Sequence, residues 1–190
     1  MGFLRKYLSI VIAYGICVVA SSALPGGTAT AYADWRSQRE YQIKAAFLYN
    51  FTKFVEWPAD RFANESSPIM LCVIGKDPFG AILEDTVTGK TANGRYIYIR
   101  RIDNVDDLDA CHLLFVGLSE PERLRHIIAS SHGANVLTVG DMDDFVEFGG
   151  VISLSKRANK IQFEINLIAA RQARLKLDLK LLRLASSVRK

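Results

Sequence analysis

Three kinds of side chain in this sequence could do chemistry if their spacing allowed it: glycines arranged to cradle phosphate, histidines and cysteines, and clustered carboxylates. Gly75 and Gly80 are separated by four residues directly after the apolar run Ile69–Ile74, which resembles the start of a phosphate-binding loop. That loop needs a lysine to reach the phosphates and a hydroxyl to hold the metal ion. Ala81 and Ile82 stand there instead, so the match fails and a tight turn into a helix is the better reading. Backbone amides at such a turn could still hold a small anion. His112, His126 and His132 form no pair at metal-ligand spacing with each other or with a cysteine. Cys72 lies inside an apolar strand, where a thiol is inert, and there is no G-x-S-x-G nucleophile elbow.

Carboxylates gather at Asp103, Asp106, Asp107 and Asp109, and again at Asp141, Asp143, Asp144 and Glu147. Neither set has the spacing, central glycine and closing glutamate of a calcium loop, and both read as solvated loops at strand ends. Asn50-Phe51-Thr52 and Asn64-Glu65-Ser66 match glycosylation sequons without indicating use. Arg171, Arg174, Lys176 and Lys180 give the C-terminal segment a basic, solvated side. No catalytic constellation, metal site or cofactor motif emerges, which moves the expectation from an enzyme toward binding or regulation.

The elements that would position these residues begin after a leader. Arg5 and Lys6 precede a 13-residue apolar run, Leu8 to Ala20, and a polar stretch ends in Ala31-Tyr32-Ala33. This is the layout of a secretory signal peptide cleaved after Ala33. As a helix the run covers about 20 Å, short of a bilayer core of about 30 Å. Ile16 before Cys17 does not fit a lipidation signal. The expected mature chain, 34–190, is one domain, and losing two basic and no acidic residues lowers its formal charge from +4 to +2. That balance argues against a nucleic-acid partner. Two cysteines remain, Cys72 and Cys111, and an even number in an exported chain suggests one disulfide.

Apolar spacing predicts a first helix from Trp35 to Trp57, with Ile43, Phe47, Leu48, Phe51, Phe54 and Val55 on its buried arc. Pro58 ends it. Ile69–Gly75, His112–Gly117 and Asn135–Gly140 read as strands buried on both faces, and Arg95–Arg101 as a strand with partial alternation. Asp77 is placed to cap a short helix with Pro78 at its first position, and Ser119 to cap another running to about Ser131. Asp141–Phe148 reads as partly helical. Two more strands flank the turn Lys156-Arg157-Ala158-Asn159. The tail reads as helix, extended break over Arg174–Leu181, and a closing helical turn. The whole predicts an α/β fold: a single doubly wound, Rossmann-like, mostly parallel sheet flanked by helices.

Four segments carry a resemblance to a known family: Ala45–Pro58 (AAFLYNFTKFVEWP), Cys72–Gly80 (CVIGKDPFG), Cys111–Gly117 (CHLLFVG) and Ile165–Leu177 (INLIAARQARLKL), followed by Leu181–Ala185. On these the chain resembles the YfiR family of periplasmic regulators from Tyr41 to Ala185. The resemblance implies an exported α/β protein, often a homodimer. The lack of catalytic residues and cofactor motifs noted above agrees with a protein that is not an enzyme. It would hold an inner-membrane diguanylate cyclase inactive by binding its periplasmic sensor region, thereby controlling cyclic-di-GMP signalling and biofilm formation. An outer-membrane lipoprotein would be the second partner, and redox state a proposed input. In a 2-1-3 strand order the strands bearing Cys72 and Cys111 are neighbours, so their pairing is geometrically reasonable. The second cysteine pair of some members is missing, since 145–152 contains none. Candidate partner contacts are Tyr49 on the polar side of the first helix, and Trp57 and Arg61 at its end, where Trp57 could equally plug the core. An alternative function is a periplasmic small-ligand binder using the crevice at the strands' carboxyl ends, with Gly75, Lys76, Gly80 and Ser119 as its residues.

Overall fold

Eight strands hydrogen-bond into one mixed sheet, and their order follows from which apolar runs can be buried on both faces. The computed structural model describes residues 28–117, 120 and 122–190. The leader 1–27, including most of the expected signal peptide, and Ser119 lie outside them. The chain divides into two units, Met1–Asp34 and Trp35–Lys190, and the second carries the fold described here.

The continuous apolar runs form the middle of the sheet: β2 (Ile69–Ile74), β5 (Leu113–Val116) and β6 (Leu137–Gly140). Every residue of β5 and β6 is buried, and the three strands are parallel neighbours. β4 (Arg95–Ile102) lies parallel to β2 on its other side, giving the expected 2-1-3 order at the start of the sheet. β3 (Thr91–Ala92) hairpins onto β4 through Asn93 and Gly94, both at positive φ. β7 (Ile152–Arg157) lies parallel to β6, and β8 (Lys160–Asn166) returns antiparallel around Ala158 and Asn159. The sheet ends with β10 (Ser187–Arg189), parallel to β8. This last strand follows the expected closing helical turn, which forms as a short helix over Leu179–Leu184.

Helices cover both faces. On one face α1 (Thr28–Phe54), α2 (Ala81–Val87) and α4 (Leu167–Gln172) bury Leu48, Phe51, Leu83, Ala169 and Ala170 against Leu71, Val73, Phe115 and Val139. On the other, α3 (Leu124–Gly133) buries Leu124, Ile127 and Ile128 against Cys72, Ile74, Leu114 and Val116. Opposite faces of β2 therefore serve two separate apolar clusters, as side-chain alternation requires. Among the described residues no helix is long and apolar enough to cross a membrane.

Several boundaries differ from expectation for local reasons. α1 gives way at Phe54 because Val55 and Glu56 (β1) pair with Lys176 and Leu177 (β9). Its buried stripe is Lys44, Ala45, Leu48, Phe51, Thr52 and Val55, rotated from the expected arc so that Ile43 is 41% exposed. Asp77 caps a turn rather than a helix: its carboxylate accepts the Phe79 N–H at 2.8 Å, and α2 starts four residues later, after Gly80 at φ +52°. α3 starts at Leu124, without a side-chain cap. Residues 141–148 make turns instead of helix. Of the expected extended break over Arg174–Leu181 only Lys176 and Leu177 form a strand, because Asp178 caps α5 (Leu179–Leu184).

Candidate functional site

The carboxyl ends of the parallel strands meet where β2 and β5 part, the place where an open α/β sheet offers its crevice. Gly117 must be glycine here: a Cβ would lie 2.7 Å from the Lys76 carbonyl oxygen. Its own N–H donates to the Ile74 carbonyl at 3.0 Å, closing the β2 loop onto the end of β5. Arg101, at the end of β4, straps the same loop, donating to Asp77 (2.8 Å), to Glu84 and to the Gly80 carbonyl (3.1 Å). The hydrogen bond from Arg101 holds the Glu84 carboxyl below the ordinary carboxylate range, outweighing the upward push of burial. Gly75, Lys76 and Gly80 are exposed along this strapped loop. Phe79 turns inward from it onto Phe115, with ring centroids 4.8 Å apart.

Helix α1 roofs the strand ends. Tyr41 meets the Phe79 ring edge-on at 5.3 Å and donates its hydroxyl to Asp141, just past β6, at 3.1 Å. Lys44, only 4% exposed, donates to Asp141 and to Glu40 at 2.7 Å each, and Lys156 reaches the other Glu40 oxygen at 2.9 Å. Burial would raise the Glu40 pKa, but the hydrogen bonds and charges of Lys44 and Lys156 hold it below the ordinary value. The Tyr41 hydroxyl is pushed the other way, by burial first and by the Asp141 charge second. Asp141, expected to be solvated, has a side chain 1% exposed, and its Oδ1 has no hydrogen-bond partner. Its neighbours Asp143, Asp144 and Glu147 are exposed as expected. This chain of alternating charge pins α1 to β6 and β7. Its acid and base groups are paired with each other, so it positions the roof.

At the amino ends of the same strands, Trp57 is 9% exposed and donates its indole N–H to the His112 carbonyl at 2.8 Å. It plugs the core, which removes it from the exposed anchors. Arg61 also turns inward, donating to the carbonyls of Asp109 (3.0 Å) and Cys111 (2.7 Å). His112 is buried. Its Nδ1 accepts the Met70 N–H at 3.1 Å and its ring stacks on Phe62 at 4.5 Å. Burial first, then the Arg61 charge, drives its pKa down to about 4, so the imidazole is neutral. Tyr49 stays at the surface, its ring flanked by the Lys53 ammonium at 4.0 Å and the Lys90 ammonium at 5.0 Å.

Cys72 and Cys111 are disulfide-bonded, with Cα atoms 5.8 Å apart, and neither residue has any solvent exposure. The bond ties β2 to the entry of β5 beneath the 3₁₀ turn 105–110. The structure thus brings Cys72 and Cys111 together. It turns Trp57 and Arg61 into the protein, onto the carbonyls of residues 109–112, and leaves Tyr49 with two lysines at the surface. Tyr41 and Lys44 escaped the sequence analysis, although a visible signal existed: Lys44 stands at helical spacing with Leu48, Phe51 and Val55, and a lysine in a buried stripe demands a carboxylate.

Residues 41–186 match the family described as YfiR/HmsC-like. Among solved structures the chain is similar to a conserved domain protein from Vibrio cholerae O1 biovar eltor, at 13% identity over 63% of this chain and 54% of that one, with a TM-score of 0.48. It is also similar to the ABC domain in complex with L-Trp from Streptococcus pneumonia, at 10% identity over 63% of this chain and 55% of that one, with a TM-score of 0.45. The aligned part thus spans about half the length of each of those chains.

Proposed function

The chain belongs to the YfiR/HmsC-like family, and from that premise we propose that it is a periplasmic regulator that represses an inner-membrane diguanylate cyclase by binding the enzyme's periplasmic sensor region. The observation that carries this reading is the family match from residue 41 to residue 186, which takes in every strand from β1 to β9. The buried Cys72–Cys111 bond supports the compartment, because disulfides form and persist where the environment is oxidising. The N-terminal leader, with its cleavage motif at Ala31-Tyr32-Ala33, is the proposed route there.

Of the three residues expected at the partner surface, Tyr49 retains that role in our reading. Its half-buried ring carries the Lys53 and Lys90 ammonium groups at 4.0 and 5.0 Å from its centroid. An aromatic ring ordered by flanking cations suits an acidic or carbonyl-rich face on the cyclase sensor region. An outer-membrane lipoprotein that competes for the regulator would relieve the repression.

Cellular cyclic-di-GMP, measured after deleting the gene and after complementing it with the full chain or with a leaderless version, tests the reading. A rise that only the full chain reverses supports periplasmic repression. An unchanged level under conditions of expression rejects the cyclase as target. Tyr49→Ala in the complementing copy is expected to leave the protein folded and the cyclic-di-GMP level high.

A further inference from the structure

We propose that the cleft beyond the end of β6 binds an extended aliphatic polyamine, whose ammonium groups meet two buried side-chain atoms left without partners and the carboxylates of the adjoining turn. The site is separate from the strapped loop Gly75–Gly80, and it stands whether or not a cyclase is the protein's target.

β6 stops at Gly140, beside Ser153, while β7 continues to Arg157. Past the end of β6 lies a cleft of about 600 Å³, lined by Glu40 and Lys44 of α1, the turn 141–147, residues 153–157 of β7 and Glu164 of β8. Among the described residues three buried side-chain polar atoms have no hydrogen-bond partner, and two of them, Asp141 Oδ1 and Ser155 Oγ, belong to residues lining this cleft. The Asp141 side chain is only 1% exposed. Buried polar groups are normally paired, because an unsatisfied one keeps its full desolvation cost. Two such groups in one cleft point to a ligand that supplies hydrogen-bond donors.

The charge of the lining selects a cation. Six carboxylates face three basic side chains. The basic groups are paired within the chain: Lys44 with Glu40 and Asp141, Lys156 with Glu40, and Arg157 with Glu164 at 3.4 Å. Asp143, Asp144 and Glu147 are exposed and enter no ion pair among the described residues. The surplus is therefore negative. A metal ion does not fit, since among the described residues no three His, Cys, Asp or Glu side chains come together as a ligand set. An ammonium group does, because it brings both the positive charge and the N–H donors.

Strand alternation sets the shape of the ligand. Lys156 reaches Glu40 on the α1 face of the sheet, so Ser155 beside it points to the opposite face. Asp141 turns to the α1 face, toward Lys44. A single compact ammonium does not serve groups on both faces. A flexible chain crossing the end of β6, with ammonium groups spaced along it, serves both and leaves a further charge for the turn. Met142, Val146 and Leu154 also line the cleft and suit the methylenes between those charges.

Isothermal titration calorimetry on the full protein as recovered from the cell and dialysed tests the site with spermidine, putrescine, butanediol and magnesium chloride at one ionic strength. Spermidine should bind at least about fivefold tighter than putrescine, and the diol and magnesium should give no saturable heat. Ser155→Ala removes a hydroxyl that has no partner, so it should keep the wild-type melting temperature while weakening spermidine about fivefold or more. Asp144→Asn/Glu147→Gln, at exposed positions, should also keep the fold and weaken spermidine about tenfold. Absence of saturable spermidine binding, magnesium binding of equal affinity, or an affinity unmoved by Ser155→Ala or by the double variant would each overturn the proposal.

Discussion

Replacing Lys44 by methionine should cost more stability than any surface change in this protein, and the ion-pair geometry sets the size. The substitution removes the ammonium that lies 2.7 Å from both Glu40 and Asp141. Glu40 is 20% exposed and keeps Lys156, so it is compensated. Asp141 is not: its side chain is 1% exposed, and only the Tyr41 hydroxyl remains to it. Stranding one member of a buried pair costs about 3–5 kcal/mol. The folded unit Trp35–Lys190 has an unfolding entropy of about 0.33 kcal/mol/K, so the midpoint should fall by roughly 9–15 °C. Adding Asp141→Asn removes the stranded charge and should restore at least about half of that loss, a coupling of about 2 kcal/mol between the two sites. Lys156→Ala, at the exposed end of the same chain of charges, should cost less than about 1 kcal/mol. Urea unfolding of the four variants gives the cycle directly. A Lys44→Met protein within about 1 kcal/mol of wild type, or additive single effects, would refute the argument that α1 is pinned electrostatically.

Other consequences are as direct. The disulfide closes a loop with a sequence separation of 39, which is worth about 4 kcal/mol, so Cys72→Ser/Cys111→Ser should melt about 12 °C lower in calorimetry. Because both cysteines are fully buried, a phosphine reductant in native buffer should release thiols only at the rate of local opening, and release as fast as in denaturant would contradict the burial. His112 has a folded pKa of about 4, below its unfolded value, so the unfolded chain binds more protons between about pH 6.5 and 4. Stability should therefore be complete above that window and decline by up to about 3 kcal/mol as pH falls through it, with His112→Gln flattening the urea-midpoint profile. The Phe145 ring is clamped between Gly140 and Gly150, where an added Cβ would come within 2.4 and 2.1 Å of it. Gly150→Ala should thus cost at least about 1–3 kcal/mol in chemical denaturation, and a neutral result would mean the ring can move aside.

The parts of the fold that could be read from sequence are those where one physical signal dominates. Ile69–Ile74, Leu113–Val116 and Leu137–Gly140 are apolar without a break, and only a strand covered on both faces uses such a run. The cysteine pairing was legible for the same reason, since it follows from the order of those strands. Legibility ends where partners are distant in sequence. Nothing near Phe54 announces that Val55 will leave the helix, because the cause is Leu177. Asp141 resembles its exposed neighbours until Lys44, 97 positions earlier, is placed above it. Trp57 carries an aromatic ring suited equally to core and interface, and the carbonyl of His112 decides between them.

The first helix draws part of its hold from the end of the chain. Lys156 bonds Glu40 across a separation of 116 residues, Phe163 packs on Phe47 and Phe51, and the Asp178 N–H closes on the Phe54 carbonyl. A ribosome delivers these partners last, so the hold on the first helix is incomplete until translation is nearly finished. Such long-range wiring delays the native state through topology. On the proposed export route, which threads the chain unfolded through a membrane, the delay is useful, because the molecule stays pliable until its C-terminal strands have followed it across.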